Sequence, residues 1–206
     1  MEQETKKAGM DPRFTIILLV LLFVVPVGTA IVLHSVGDGW RPGTTVNYGD
    51  LVHPVRPLND FDFTSIDGKQ VDKTVLQDKW TFMYLDNRSC DETCEKNLYA
   101  IRQSRLGQGG EKDRVQRIMV IVDSKEGEAL DKVLEEHAGM LVLKPNKTMQ
   151  KFISTFEVQD ALPAMSAQRI YLVDPFGNLM MSYPAGVSPR DLVKDLERLL
   201  KYSKNG

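Results

Sequence analysis

The hydrophobic and polar positions divide the chain into one long apolar block and a series of short ones. The long block is "FTIILLVLLFVVPVGTAIVL", Phe14 to Leu33, 20 residues without a charge. At about 1.5 Å per residue a helix of this length spans the hydrocarbon core of a bilayer. Pro26 and Gly28 interrupt it, which membrane helices tolerate. A cleaved signal peptide has an apolar core of roughly 7–15 residues before its cleavage site. Here the apolar run continues through Gly28-Thr29-Ala30, so the pattern predicts an uncleaved anchor over 14–35. Lys6, Lys7 and Arg13 precede the block and only Arg41 follows it closely. That bias places a cytoplasmic tail, 1–13, on one side and the rest of the chain on the other, the periplasm if the cell is bacterial.

Residues 36–58 carry four glycines and three prolines without sustained periodicity, which predicts a linker. From Asn59 the blocks become short and regular, predicting a folded domain over 59–206. "FDFTSIDGKQV" alternates around Asp67-Gly68, a hairpin signal. "WTFMYLD" (80–86) and "VQRIMVIVD" (115–123) are compact apolar runs and read as buried strands. Between them "EKNLYAIRQSRL" approximates helical spacing through Leu98, Ile101 and Leu106. "GEALDKVLEEHAG" reads as an amphipathic helix ending near Gly139, "MLVL" as a short strand and "NKTMQKFISTFEV" as a further helix. Ile170–Val173 and Leu179–Tyr183 flank Asp174-Pro175-Phe176-Gly177-Asn178 as a second hairpin. Ser188 and Pro189 open a terminal helix with Leu192, Leu196, Leu199 and Leu200 on one face. Strand–helix–strand order followed by a hairpin predicts an α/β fold, a mostly parallel sheet with helices on both faces and an antiparallel edge.

Composition adds little to this. Hydrophobic content is 42% and charged content 26%, ordinary for a folded chain. The net charge of −2 and the absence of a basic patch give no basis for a nucleic-acid partner.

The chemistry is concentrated in the only two cysteines, Cys90 and Cys94, in "NRSCDETCEKN". They follow the strand 80–86 and precede a helix, at the strand C-terminus where α/β sheets collect ligand chemistry. A cysteine at a helix N-terminus feels the positive end of the helix dipole, which favours the thiolate, the form that attacks disulfides and binds metals. Arg88 and Lys96 act in the same direction, while Asp91, Glu92 and Glu95 oppose it. Four readings remain open for the pair: metal binding, electron exchange, a passive crosslink, or no role.

Strand, S-C-D-E-T-C, helix, strand, helix and "IYLVDPFGNLMMSYPAG" together resemble the Sco/SenC proteins, over about Phe61 to Leu200 plus the anchor. The resemblance implies a thioredoxin-like sheet with flanking helices behind one N-terminal transmembrane helix. It implies an assembly factor for a copper-containing cytochrome c oxidase, acting on oxidase subunit II or with other assembly factors. Thiol–disulfide exchange, transient Cu(I) handling, or both would run through Cys90 and Cys94, with Cys90 the expected attacker. A non-catalytic scaffold that docks other assembly proteins is the alternative, so the label thiol–disulfide oxidoreductase, metallochaperone or scaffold stays open.

Two departures qualify what the resemblance implies. The family's copper-ligand histidine would fall at about Ser166 in "PAMSAQR", where none is present. The histidines are His34, in the anchor, His53, in the linker, and His137, expected at the surface of an amphipathic helix. Met165, next to the vacated position, is the candidate substitute ligand, a soft thioether suited to Cu(I). The cis-proline usual before the strand equivalent to "RIYLVD" is also displaced; the nearest proline, Pro163, lies several residues early.

Overall fold

The computed structural model describes residues 11–35, 46–87, 89–123, 129–158 and 162–203. The chain divides into two units, at Val46/Asn47. Among the described residues the N-terminal unit contains one helix, α1 (Pro12–Ser35), continuous through Pro26. Its stretch Pro12–Val32 has a mean hydropathy of 2.8 and meets the length and composition required to cross a membrane. The expected tail up to Met10 and the linker positions 36–45 lie outside the described residues.

The second unit is built on a six-stranded sheet. Its strands are β1 (Asp50–Pro57), β4 (Trp80–Asp86), β5 (Val115–Ile121), β6 (Leu141–Leu143), β7 (Ile170–Val173) and β8 (Asn178–Tyr183). Strands β2 (Asp62–Thr64) and β3 (Gln70–Asp72) form a separate hairpin around Asp67-Gly68, with Gly68 at φ +80°. The sheet order is β1-β8-β7-β4-β5-β6. β4, β5 and β6 are parallel neighbours, while β7, β8 and β1 are added antiparallel. The helices are α2 (Glu92–Gly107), α3 (Ala129–Glu135), α4 (Met149–Ser154) and α5 (Pro189–Tyr202).

Alternation along β4 sorts the core into two layers. Trp80, Phe82 and Tyr84 face α2 and α5, packing with Leu98, Ile101, Leu192, Leu196 and Leu200. Met83 and Leu85 face the opposite layer, with Phe61, Phe63, Phe152 and Phe156. Four of the ring contacts in that second layer are edge-on or steeply tilted at centroid distances of 4.9–5.0 Å, the geometry the aromatic quadrupole favours.

Three expectations need correction. Residues 50–57, expected within the linker, form β1, hydrogen-bonded to β8 through Asp50↔Ser182 and Arg56↔Leu179. Pro54 and Pro57 are compatible because β1 is the sheet's outer strand, where a missing N–H is tolerated. His137 is not at the surface: α3 stops at Glu135 and a turn carries His137 inward to 6% exposure. Gly139, at φ +78°, supplies the left-handed residue that reverses the chain there. Leu106, counted with the buried face of its helix, is 49% exposed near the C-terminus of α2.

Candidate functional site

β4 delivers the chain to the site. Its last residue, Asp86, is buried, and Asn87, Ser89, Cys90 and Asp91 lead into α2. Asn87 Oδ1 accepts from Ser89 N at 2.8 Å and from the Ser89 hydroxyl, an Asx turn that redirects the backbone. Cys90 follows in a left-handed conformation, φ +36°. Asp91 is the N-cap of α2, and its Oδ1 accepts from Cys94 N at 2.9 Å. Cys94 therefore lies in the first helical turn, as the spacing predicted.

Cys90 and Cys94 are joined as a disulfide, with Cα atoms 5.0 Å apart. Both sulfur-bearing residues are buried: Cys90 is 4% exposed and Cys94 0%. Both belong to the α2/α5 side of the core, beside Tyr84 and Leu98. What remains accessible belongs to Cys90.

β7 brings the second half of the site. It runs antiparallel to β4 with Tyr84 opposite Ile170. Continuing that register two residues sets Gln168 opposite Asp86. Gln168 has φ +44°, and its Nε2 donates to Asp91 Oδ1 and Oδ2 at 3.0 and 3.1 Å and to Asp86 Oδ2 at 3.5 Å. Its carbonyl accepts from Asn97 Nδ2 at 2.8 Å, and Asn97 Oδ1 accepts from Gly186 N at 3.0 Å. One turn of α2 is thus tied to the segment before β7 and to the loop before α5.

Beneath the disulfide loop lies a buried acid. Tyr84 Oη donates to Asp86 Oδ2 at 2.6 Å, and Asn87 N donates to Asp86 Oδ1 at 2.7 Å. Burial pushes the Asp86 carboxyl above the ordinary aspartate range, against the opposing pull of the Tyr84 and Asn87 hydrogen bonds; Asp91 raises it further. The Tyr84 phenol is pushed upward by burial and by Asp86. Asp91 moves the other way: the Cys94 backbone N–H, and after burial the Gln168 amide, favour its carboxylate.

Of the other sequence candidates, Met165 sits in the turn Ala164–Ser166 and is 41% exposed. Pro163 carries that turn, its carbonyl accepting from Ser166 N and Ala167 N. The one cis peptide bond among the described residues is His53–Pro54, in β1. His53 is exposed on that strand, and the side chain of His34 lies outside the described residues. Among the described residues no cluster of three or more His, Cys, Asp or Glu side chains is arranged to hold a metal ion. The residues that sequence reasoning missed are Gln168 and Asp86. Asp86 ends the apolar run as its only charge, which was a visible signal; Gln168 had none beyond its place just before β7.

Residues 80–203 match the family described as "Transmembrane-like, thioredoxin-like, C-terminal domain". The chain belongs to this family. No curated protein matches the sequence. Among solved structures, apo Sco1 from Thermus thermophilus superposes with a TM-score of 0.60 at 22% identity, over 77% of this chain and 99% of that one. Copper-bound ScoI of Bradyrhizobium japonicum gives 0.54 at 22% identity, over 67% and 96%. BsSco, a Sco-family cytochrome c oxidase assembly protein in which a disulfide switch was identified, gives 0.54 at 16% identity, over 75% and 99%. The thioredoxin-like domain therefore shares its fold with the Sco proteins, as the sequence resemblance implied.

Proposed function

We propose that this chain is a membrane-anchored thiol–disulfide protein that serves the assembly of a copper-containing respiratory oxidase. The observation that carries the reading is the Cys90–Cys94 disulfide at the β4–α2 junction of a thioredoxin-like fold. The structural likeness to copper-bound ScoI and to BsSco supports the choice of oxidase assembly over general disulfide exchange. The basic residues ahead of α1 support an N-terminus in the cytoplasm and a domain on the far side, where disulfides persist.

In the exchange reaction the pair acts as a dithiol. The Cys90 thiolate attacks a target disulfide, forms a Cys90–target bond and releases one target thiolate. The Cys94 thiolate then attacks Cys90 Sγ, restores the Cys90–Cys94 bond and releases the second target sulfur. Two electrons pass to the target, whose thiolates take up the protons lost by the pair. An external dithiol reductant returns the domain to its starting state. The reduced pair also suits Cu(I) as cargo, since two soft thiolates satisfy that ion; Met165 is the candidate third donor.

The test compares the full chain with Cys90→Ser/Cys94→Ser in cells lacking the natural copy. The expected result is loss of copper and activity from the oxidase in the double variant. Normal oxidase maturation without the sulfurs would overturn the reading in favour of a scaffold. Titration of the reduced protein with Cu(I) against a competing chelator separates the routes; no competition at any ratio removes the cargo role and leaves exchange.

A further inference from the structure

A second cluster lies further along α2, and it is cationic. Arg117, on β5, is 5% exposed. Its Nη2 donates to Ala138 O at 2.6 Å, while its Nε and Nη1 have no partner among the described residues. A buried guanidinium normally faces a carboxylate, because leaving its charge and donors uncompensated costs several kcal/mol. Here the charged groups acting on it are two further arginines, Arg105 and Arg102. Arg105 is engaged elsewhere, donating to Val115 O at 2.8 Å and pairing with Asp113. Arg102 has no partner among the described residues.

His137 completes the cluster. It is buried one residue before the carbonyl that Arg117 holds, and its Nδ1 is likewise unpartnered among the described residues. Burial, Arg117 and Arg102 all hold its imidazole below the ordinary range, with exposed Glu136 opposing. Arg102 and His137 both line a cleft of about 420 Å³ between α2, the turn after α3 and the loop leading into α5. Glu95, Lys96 and Glu136 stand on its exposed rim, while Arg102 is half-buried. Behind the lining residue His137, Arg117 holds the Ala138 carbonyl and keeps two buried donors without a partner among the described residues.

We propose that this cleft binds a small oxyanion, a carboxylate or a phosphate, between Arg102 and His137, with Arg117 supplying charge from below. An anion answers a cleft lined by Arg102 and His137, next to which Arg117 buries two donors without a partner among the described residues; a guanidinium fork matches its planar or tetrahedral oxygens. The inference does not depend on the cysteine chemistry.

Thermal unfolding of the full chain in detergent micelles tests it, with phosphate, acetate and chloride compared at equal ionic strength. A bound anion at ten times its dissociation constant raises Tm by roughly 3–6 °C. The expected result is a rise above the chloride baseline with phosphate or with acetate, and which anion acts assigns the ligand class. The rise is expected to vanish in Arg102→Ala and in Arg117→Met. In chloride Arg117→Met is expected to be as stable as the parent or more so, since it replaces an uncompensated charge with an apolar side chain. Equal Tm in all three salts, or an anion-dependent rise that persists in Arg102→Ala, overturns the proposal. Arg102 is half-buried at the cleft, so its variant decides the question even if Arg117→Met does not fold.

Discussion

Gln168 Nε2 sits 3.0 and 3.1 Å from the two carboxylate oxygens of Asp91, so a residue two positions before β7 holds the cap of the cysteine helix. The same carboxylate caps Cys94 N. Any opening of the loop to expose Cys90 must therefore loosen Gln168, Asp91 or both.

Gln168→Ala is expected to lower stability by about 1–2 kcal/mol, because charge-assisted hydrogen bonds to Asp91 are lost at a largely exposed carboxylate. Gln168→Gly removes the same side chain but relieves the left-handed backbone at φ +44°. The glycine variant is expected to be the more stable of the two by chemical denaturation. A more stable alanine variant would show that the backbone here does not resist a side chain. Both variants are expected to react faster with a disulfide reagent once reduced, because the tie from Gln168 to the Asp91 cap is gone.

The legibility of this site in the sequence was uneven, for physical reasons. β4, β5, β7 and β8 were readable because they are short apolar runs between turn residues, and α5 because it carries both a cap and a face. Cys90 and Cys94 stood out by number and spacing. β1 was hidden because an outer strand needs only one buried residue, Val52, and can carry two prolines. Gln168 was hidden because it acts through a register set by β4 and β7, a long-range relation that no local pattern encodes. The burial of His137 is hidden in the sequence because the amphipathic pattern continues to Gly139, whereas α3 ends at Glu135.

Reduction of the disulfide is expected to weaken the domain only modestly. The ring closed by Cys90 and Cys94 spans few residues, sequence separation 4, so it restricts the unfolded chain by about 2 kcal/mol in the loop-entropy account. For a domain of this size that is a drop of roughly 4–8 °C in Tm. Calorimetry of the oxidised chain and the Cys90→Ser/Cys94→Ser chain measures it. A loss of all cooperative unfolding in the variant would make the bond a staple of the fold and count against its opening in a reaction.

Gly49 marks where the chain enters the domain. Its N–H and that of Tyr48 both donate to Asp195 Oδ2, at 3.0 and 2.8 Å. A Cβ at position 49 would stand 2.5 Å from Tyr183 Cε1, inside a fully buried ring. Gly49→Ala is expected to cost about 1–3 kcal/mol, as overpacking does. The measurement is urea unfolding, with hydrogen exchange at Tyr48 and Gly49 N–H as a local readout. Unchanged protection there would mean that the Tyr183 ring moves aside without releasing the Asp195 latch.

The buried carboxyl of Asp86 predicts a pH dependence of definite sign. Burial raises its pKa in the folded chain above the ordinary aspartate value of 3.8. Between the unfolded value and the raised one the folded state holds the proton and the unfolded state does not. The group's contribution is therefore fully present below the unfolded pKa and lost as pH rises through the folded pKa. Asp91 works in the opposite sense: its lowered pKa stabilises the fold above the unfolded pKa and the benefit is lost as pH falls through the folded value. Asp86→Asn removes the first effect and leaves the second. Its stability relative to the parent is expected to improve as pH rises from the unfolded aspartate pKa through the raised folded one and to level off above it, whatever the packing cost of the amide at any single pH. Parallel stability–pH curves for parent and variant would show that Asp86 titrates alike in both states.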